Sequence, residues 1–389
     1  MEKWEKLLAL VPVPPDWTIP WHLIETSECS AFINKMKETP QNPLWHGEGD
    51  VWTHTCMMCE KLAETEEFRL LERRKQEEVF VASLLHDIGK IPCTHLENGN
   101  WTSPNHTVVG SRMAREFLWT EYGFCGTEKL QQFRETVCEL IRYHSVPLHI
   151  LDVERPEYRL IKVASQGELT GDFTLELLYL LSGADIKGRV CDSLENSLEA
   201  MELGRLLADE CGCYKTPLKF PSEFSKYAYL KGRNIMPGQE LYDDTWGEII
   251  LMSGLPGTGK DTWIGEHLGE YPVISLDNLR KALKVAPGEN QGAVISAARE
   301  LAKEYLRKKI PFVWNATSLT PMLREKQIQL FTNYGGAVRI VYLETEWEEQ
   351  LSRNRNRKDV VPEQVIGHML NSLMLPERFE AQKVKWYCV

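Results

Sequence analysis

No uninterrupted apolar run in this chain approaches the ~20 residues that a membrane-spanning helix requires, so a membrane is not an expected partner. The opening stretch MEKWEKLLALVPVPP lacks the basic start and long apolar core of a secretory signal. The expected setting is therefore a reducing cytoplasm, where the ten cysteines form no disulfide framework. Cys56 with Cys59 (CxxC) and Cys211 with Cys213 (CxC) are spaced for zinc, but the first pair falls on an apolar helical face, which favours packing over metal. Positive charge is in deficit too. The net charge of -11 excludes a protein that grips long duplexes by broad phosphate neutralisation. Residues 1–225 carry 23 Lys+Arg against 36 Asp+Glu, and the remainder 22 against 20, so any nucleic-acid contact is expected to be local, at chain ends or single strands. Histidine is scarce beyond residue 150, with eight of the ten before it. Different chemistry is expected in the two halves.

What is present divides the same way. At 389 residues the chain exceeds one ordinary core. Periodicity fades between residues 214 and 247, where Pro217, Pro221, Gly232, Pro237, Gly238 and Gly247 punctuate the chain. The expected domains are 1–225 and 226–389.

In the second, EIILMSGLPGTGKDT (248–262) runs from an apolar strand into a glycine-rich loop and a helix start, the grammar of a P-loop. Gly254, Gly257 and Gly259 let backbone N–H groups close on phosphate oxygens, with Thr258 between them. Lys260 is then expected to meet the terminal phosphates of ATP or another NTP at a helix N-terminus. Asp261 stands where a Ser or Thr normally binds Mg²⁺, and Thr262 follows within reach of a phosphate. Further apolar runs, YPVISLD, IPFVWNAT and AVRIVYLET, alternate with helical stretches, which predicts an α/β domain with a parallel sheet and ligands at the strands' carboxyl ends. Asp277 falls at such an end, with Arg280 one helical turn on. A carboxylate there can take a proton from an attacking hydroxyl, and the arginine can hold a substrate phosphate. The stretch SRNRNRKDVVPEQV gathers Arg353, Arg355, Arg357 and Lys358, a basic turn that reads either as a solvated loop or as a lid near 352–362. Asn315 and Thr317 are weaker candidates for lining the acceptor site.

The first domain reads as helices throughout, with apolar positions three and four apart. His86 and Asp87 stand together after the apolar VFVASLL, a costly arrangement unless a divalent metal satisfies both. His54 and Asp185 are candidates to complete the set, and His106 and His144 fall at helix ends where further ligands are expected. His46 precedes His54 in WHGEGDVWTHT as a metal ligand or a substrate contact; which of the two histidines is the first ligand stays open. Lys90 and Arg189 are candidates for phosphate oxygens.

His54, His86-Asp87 and Asp185, with LLHDIGK and Arg189 four residues after Asp185, resemble the HD-domain phosphohydrolases over roughly residues 44–200. That resemblance implies an all-α fold and a divalent transition metal such as Mn²⁺, Ni²⁺ or Co²⁺, one ion or two. GLPGTGKDTW with LDNLR resembles the phage-type 5'-hydroxyl polynucleotide kinases, which implies Asp277 as general base, Arg280 as acceptor contact and Arg353 and Arg357 as lid arginines. Together the two parts resemble the bacterial bifunctional HD-Pnk enzymes of RNA end healing. The implied activities are phosphorylation of a 5'-hydroxyl with ATP and Mg²⁺ and removal of a 2',3'-cyclic or 2' phosphate from the other end. The implied partners are single-stranded RNA ends or broken stem-loops, and an RNA ligase acting afterwards. Two other readings stand beside this one: a small-molecule or nucleotide kinase fused to a nucleotide phosphohydrolase, and a regulatory ATPase whose HD domain senses nucleotide.

Overall fold

A computed structural model describes residues 2–286 and 289–389. The chain divides into two compact units, Met1–Phe124 with Lys129–Leu218, and Cys125–Glu128 with Lys219–Val389.

The first unit is helical. Asp50 caps helix α1 (Val51–Glu64) by accepting from Thr53 N at 2.9 Å, and Val51, His54, Thr55, Met58, Cys59 and Leu62 form its buried stripe at three and four residue spacing. His54 is thereby carried on the inward face. Helix α2 (Arg73–Leu85) is buried from Val79 to its end, so it delivers His86 and Asp87 into the interior. Helix α3 (His106–Thr120) begins with one candidate histidine, and α4 (Glu128–Tyr143) ends immediately before another, His144. Between the latter two helices lies a buried ion cluster in which Arg115 forks onto Glu135, with Arg134 donating to the same carboxylate at 2.7 Å. Helix α5 (Leu175–Lys187), capped by Thr174, holds Asp185 in its last turn, and α6 (Leu194–Glu210) follows.

The helical expectation has one exception. A two-stranded antiparallel ribbon, β1 (His95–Glu97) and β2 (Asn100–Thr102), turns through Asn98 and Gly99, both at positive φ. An Asn-Gly pair between two short extended runs is a hairpin signal, and three residues a side are too few to show alternation.

The second unit is a five-stranded sheet in the order β4-β5-β3-β6-β7, every pairing parallel. The strands are β3 (Glu248–Ser253), β4 (Val273–Ser275), β5 (Val313–Asn315), β6 (Ala337–Glu344) and β7 (Lys383–Cys388). Helices alternate with them: α7 (Lys260–His267), α8 (Leu276–Ala282), α9 (Gly292–Arg307), α10 (Pro321–Asn333), α11 (Trp347–Arg355) and α12 (Glu363–Ser372). Strands β3, β5 and β6 are almost wholly buried, as their continuous apolar runs require in a sheet covered on both faces. Strand β7 at the edge, KVKWYC, alternates instead and was not among the anticipated strands. Because β3 lies between β5 and β6, the strand order reverses beside it, and the loop leaving its carboxyl end opens at that switch point.

The packing that brings α2 to α3 tolerates no side chain at Gly89. A Cβ there would stand 2.0 Å from His106 O and 2.5 Å from Gly110 N, although φ is an ordinary -68°. Gly89→Ala is expected to destabilise the first unit by about 1–3 kcal/mol through overpacking, read as a fall in melting temperature. An unchanged melting temperature would show that the two helices separate freely.

Candidate metal centre and phosphate-binding loop

Four segments of the first unit converge on Asp87. Its Oδ2 lies 3.1 Å from His86 Nε2 and 2.7 Å from Lys90 Nζ, with His54 Nε2 at 3.9 Å; its Oδ1 lies 3.5 Å from His106 Nε2 and 4.0 Å from His144 Nε2. Asp185 Oδ1 sits 3.0 Å from His54 Nε2. Three ligand trios result among the described residues, His54–His86–Asp87, Asp87–His106–His144 and, further out, His46–Glu48–His54, each with its donor atoms within 4.8 Å of one another. Asp87 is shared by the first two, and its two oxygens face different histidines.

The far side of each ring explains why the near side points inward. His86 Nδ1 donates to Ser83 O at 2.8 Å, His106 Nδ1 to Ser103 O at 2.8 Å and His144 Nδ1 to Ile141 O at 2.7 Å. A carbonyl only accepts, so these bonds place the proton on Nδ1 and leave Nε2 with a lone pair. For His86 and His144 the accepting carbonyl is one that a helix end leaves without a partner.

Burial favours the neutral ring, pushing His144 down to about 3, His46 to about 4 and His106 below its usual value. Burial opposes ionisation of Asp87, but His86 and Lys90 hold its carboxyl well below the usual range; Arg189 and His54 do the same for Asp185. His54 is the exception: burial opposes its charge, yet Asp185 and Glu48 raise it. The carboxylates round His54 thus draw positive charge to that position, whether proton or cation.

The donor set fits a divalent cation. His86 Nε2 and both Asp87 oxygens are buried without a hydrogen bond of proper geometry, as is His54 Nδ1, which stands 2.8 Å from Glu48 Oε1. An anionic carboxylate left so in the interior is costly, and imidazole nitrogens with carboxylate oxygens are what a transition metal takes.

His46 lies one step out, its Nδ1 2.8 Å from Glu48 Oε1 and its ring 4.8 Å from that of His54. Glu48, which joins the two histidines, was missed by the sequence reading, although it lies inside WHGEGDVWTHT. Lys90 is buried, donating to Gln41 Oε1 at 2.6 Å, and Arg189 forks onto Asp185 with Nη2 to Oδ2 at 2.6 Å. Both cations line a cavity of about 700 Å³ that also reaches Asp87, His106, His144 and Asp185. The cysteines of the CxxC and CxC pairs are not among the candidate ligands: burial pushes the thiols of Cys56 and Cys213 up to about 12 and raises those of Cys59 and Cys211, so they persist as thiols.

In the second unit the loop after β3 follows the expected course. Gly254 has φ +144°, and a Cβ there would come 2.5 Å from Leu343 O. Thr258 Oγ1 donates to Leu255 O at 2.9 Å, Gly259 precedes α7 at positive φ, and Lys260 Nζ donates to Gly254 O and Leu255 O, each at 2.8 Å. Burial pulls this ammonium down to about 8. Thr262 is exposed in the first turn of α7. Asp261 Oδ1 accepts from Asn315 Nδ2 at 2.6 Å, which ties the start of α7 to the end of β5.

Asp277 is the second residue of α8 rather than its cap; Ser275 takes that role by accepting from Asn278 N. The Asp277 carboxylate pairs with Arg280 and has Arg357 Nη2 3.9 Å from its other oxygen. Arg280 Nε donates to Gln291 Oε1 at 2.8 Å. Arg353 Nη1 would lie 3.5 Å from a Cβ on Gly259, so it borders the loop, and its Nε donates to Glu349. Arg355 turns away to Glu363 at 2.7 Å.

Two family models match the chain: an HD domain over residues 50–178 and an AAA domain over residues 249–376. Among solved structures, a gluconokinase from Sinorhizobium meliloti 1021 is similar at 21% identity, covering 37% of this chain and 84% of that one, with a TM-score of 0.28.

The shared position of Asp87 generates a test. Asp87→Ala is expected to leave the protein with no bound metal, whereas His144→Ala is expected to retain at least one equivalent, as measured by elemental analysis of protein loaded with Mn²⁺ or Ni²⁺. Full metal content in Asp87→Ala would remove Asp87 from the centre. The protein is thus a multidomain chain in which a helical HD domain is fused to a P-loop, kinase-like AAA domain.

Proposed function

We propose that this protein heals RNA ends, phosphorylating a 5'-hydroxyl with ATP in the second unit and hydrolysing a terminal 2',3'-cyclic or 2' phosphate in the first. The observation that carries this reading is the grouping of Asp277 with Arg280 and Arg357 beside Lys260, a base among phosphate-binding cations. The Asp277 side chain is 58% exposed, so the acceptor side is open to a chain end. A metabolite kinase gains by enclosing its acceptor.

In the kinase, Lys260 and the loop amides hold the β- and γ-phosphates, and Arg280 holds the acceptor's own phosphate. The 5'-oxygen bonds to the γ-phosphorus, the bond to the ADP oxygen breaks, and the hydroxyl proton passes to Asp277. Arg353 and Arg357 neutralise charge on the phosphoryl group in flight. Mg²⁺, where bound, neutralises the phosphates; Asp261 meets it through water or not at all, since Asn315 engages its carboxylate.

In the hydrolase, His54, His86, Asp87 and Asp185 would hold one cation, and Asp87, His106 and His144 would hold a second. Cations bound there polarise the phosphoryl oxygens and acidify water. Lys90 and Arg189 anchor the remaining phosphate oxygens, and His46 with Glu48 orients His54.

The test is a short RNA with a 5'-hydroxyl and a 2',3'-cyclic phosphate, incubated with ATP and divalent metal and scored at both ends. Lys260→Ala and Asp277→Ala are expected to lower 5'-phosphorylation by about a hundredfold or more while sparing hydrolysis, and Asp87→Ala to do the reverse. A wild-type protein that phosphorylates a mononucleoside as well as an oligonucleotide would favour the small-molecule kinase.

Asp261→Ser is expected to keep kinase activity within a few-fold and to lower the magnesium requirement. Its cost is the Asn315 bond, about 1 kcal/mol of stability. Complete loss of activity with an unchanged melting temperature would give the carboxylate a direct role.

A further inference from the structure

Two tryptophans line the cavity of the first unit, and neither belongs to its catalytic set. Trp45 is 47% exposed, an indole left half in water on a cavity wall. It sits in a loop closed by the Pro40–Asp50 bridge and by Gln41 N donating to Gly49 O at 3.1 Å, with Trp45 N and His46 N both donating to Asn42 O. That loop holds the indole one residue from His46. Trp101 comes from β2, opposite the exposed Leu96 in the ribbon that departs from the helical pattern. The ribbon is exposed along β1, its turn and Asn100, and so contributes little to the core. What it does contribute is Trp101, half-buried, at the same cavity that reaches Lys90, Arg189 and Asp87.

Cations at the phosphate end of a cavity and partly exposed indoles on its walls match the two parts of a nucleotide. The volume, about 700 Å³, lies within the range of small-molecule sites and accommodates one. We propose that Trp45 and Trp101 form the stacking surface for the nucleobase of the RNA's terminal nucleotide, setting the phosphate against Lys90, Arg189 and the metal centre. This rests on the reading of the cavity as a nucleotide phosphoesterase site. Stacking uses the π-face that every base has, so the surface discriminates a base from no base and not one base from another.

The test compares oligoribonucleotides ending in a 2',3'-cyclic phosphate whose last residue carries each of the four bases or is abasic. Trp45→Ala and Trp101→Ala are expected to raise KM about tenfold or more on all base-bearing ends with kcat little changed, and to match wild type on the abasic end. Trp45→Phe and Trp101→Phe are expected to restore most of the loss. An equal loss on the abasic end, or no change in KM on any, overturns the proposal, the first by making the indoles merely structural. A second readout needs no turnover: 2-aminopurine at the 3' terminus is expected to be quenched on binding to wild type and to stay bright with the doubly substituted protein. A wild type that hydrolyses no such end sinks the phosphoesterase reading, and the 2-aminopurine signal then decides the stacking surface separately, with equal signals in both proteins overturning it.

Discussion

The first unit depends on the charge of Asp87. A carboxylate held ionised in the interior without hydrogen bonds is among the least favourable things a fold can contain, and the surroundings of Asp87 are organised to make it tolerable. Lys90 offsets part of the charge from three residues on, and imidazoles from four separate segments surround the rest. Each imidazole needs a fixed tautomer to be useful. The helix ends supply it, since the backbone carbonyls they leave over accept the Nδ1 protons of His86 and His144. Burial then keeps His106 and His144 neutral, while the carboxylates beside His54 favour its charged form, and a neutral ring offers a lone pair where a charged one would repel a cation.

Placing these groups makes demands on packing far from the chemistry. The inward stripe of α1 presents His54, the all-round burial of α2 drives His86 and Asp87 inside, and Gly89 permits the approach that sets His106 beside them. The second unit solves a different problem with the same economy. Its strands are all parallel, so the loop at Gly254 after β3 and Asp277 after β4 open on the same edge of the sheet although β5 lies between their strands.

Much of this was legible in the sequence because the signals are local. A strand breaking into Gly254, Gly257, Gly259 and Lys260 is a contiguous motif, and the helical period of the first half gives the class of its fold. The candidate ligands lie apart in sequence, His86, Asp87, His106 and His144 standing as polar residues at helix ends and His54 on the inward face of α1. Glu48 and Gln41 gave no such sign, since each acts by touching another side chain, His54 or Lys90, and only the folded chain reveals that proximity. The ribbon at residues 95–102 escaped because alternation needs more than three residues to register, and β7 because an exposed edge strand lacks the apolar run by which its neighbours were found. The N-cap position of α8 does not belong to Asp277. Ser275 holds that place, which frees the carboxylate for Arg280 and Arg357.

The two units handle phosphate with opposite charges at their centres, and the difference follows from the direction in which the phosphate moves. A kinase must bind a polyanion and pass one group along, and the half-buried charge beside the loop of the second unit is the cation Lys260, held by carbonyl oxygens of that loop. In the first unit the buried anions are Asp87 and Asp185, whose charge a divalent cation at the candidate centre would balance together with the adjoining Lys90 and Arg189. A carboxylate cluster in place of that loop would repel ATP, whereas in the first unit a buried lysine, Lys90, stands 2.7 Å from Asp87 and offsets part of its charge. Asp261 shows how narrow the margin is, for it places an anion one residue from Lys260, where a phosphate must approach. Asn315 donates to that carboxylate and dilutes its charge, and this bond makes an acidic residue compatible with a phosphate-binding loop.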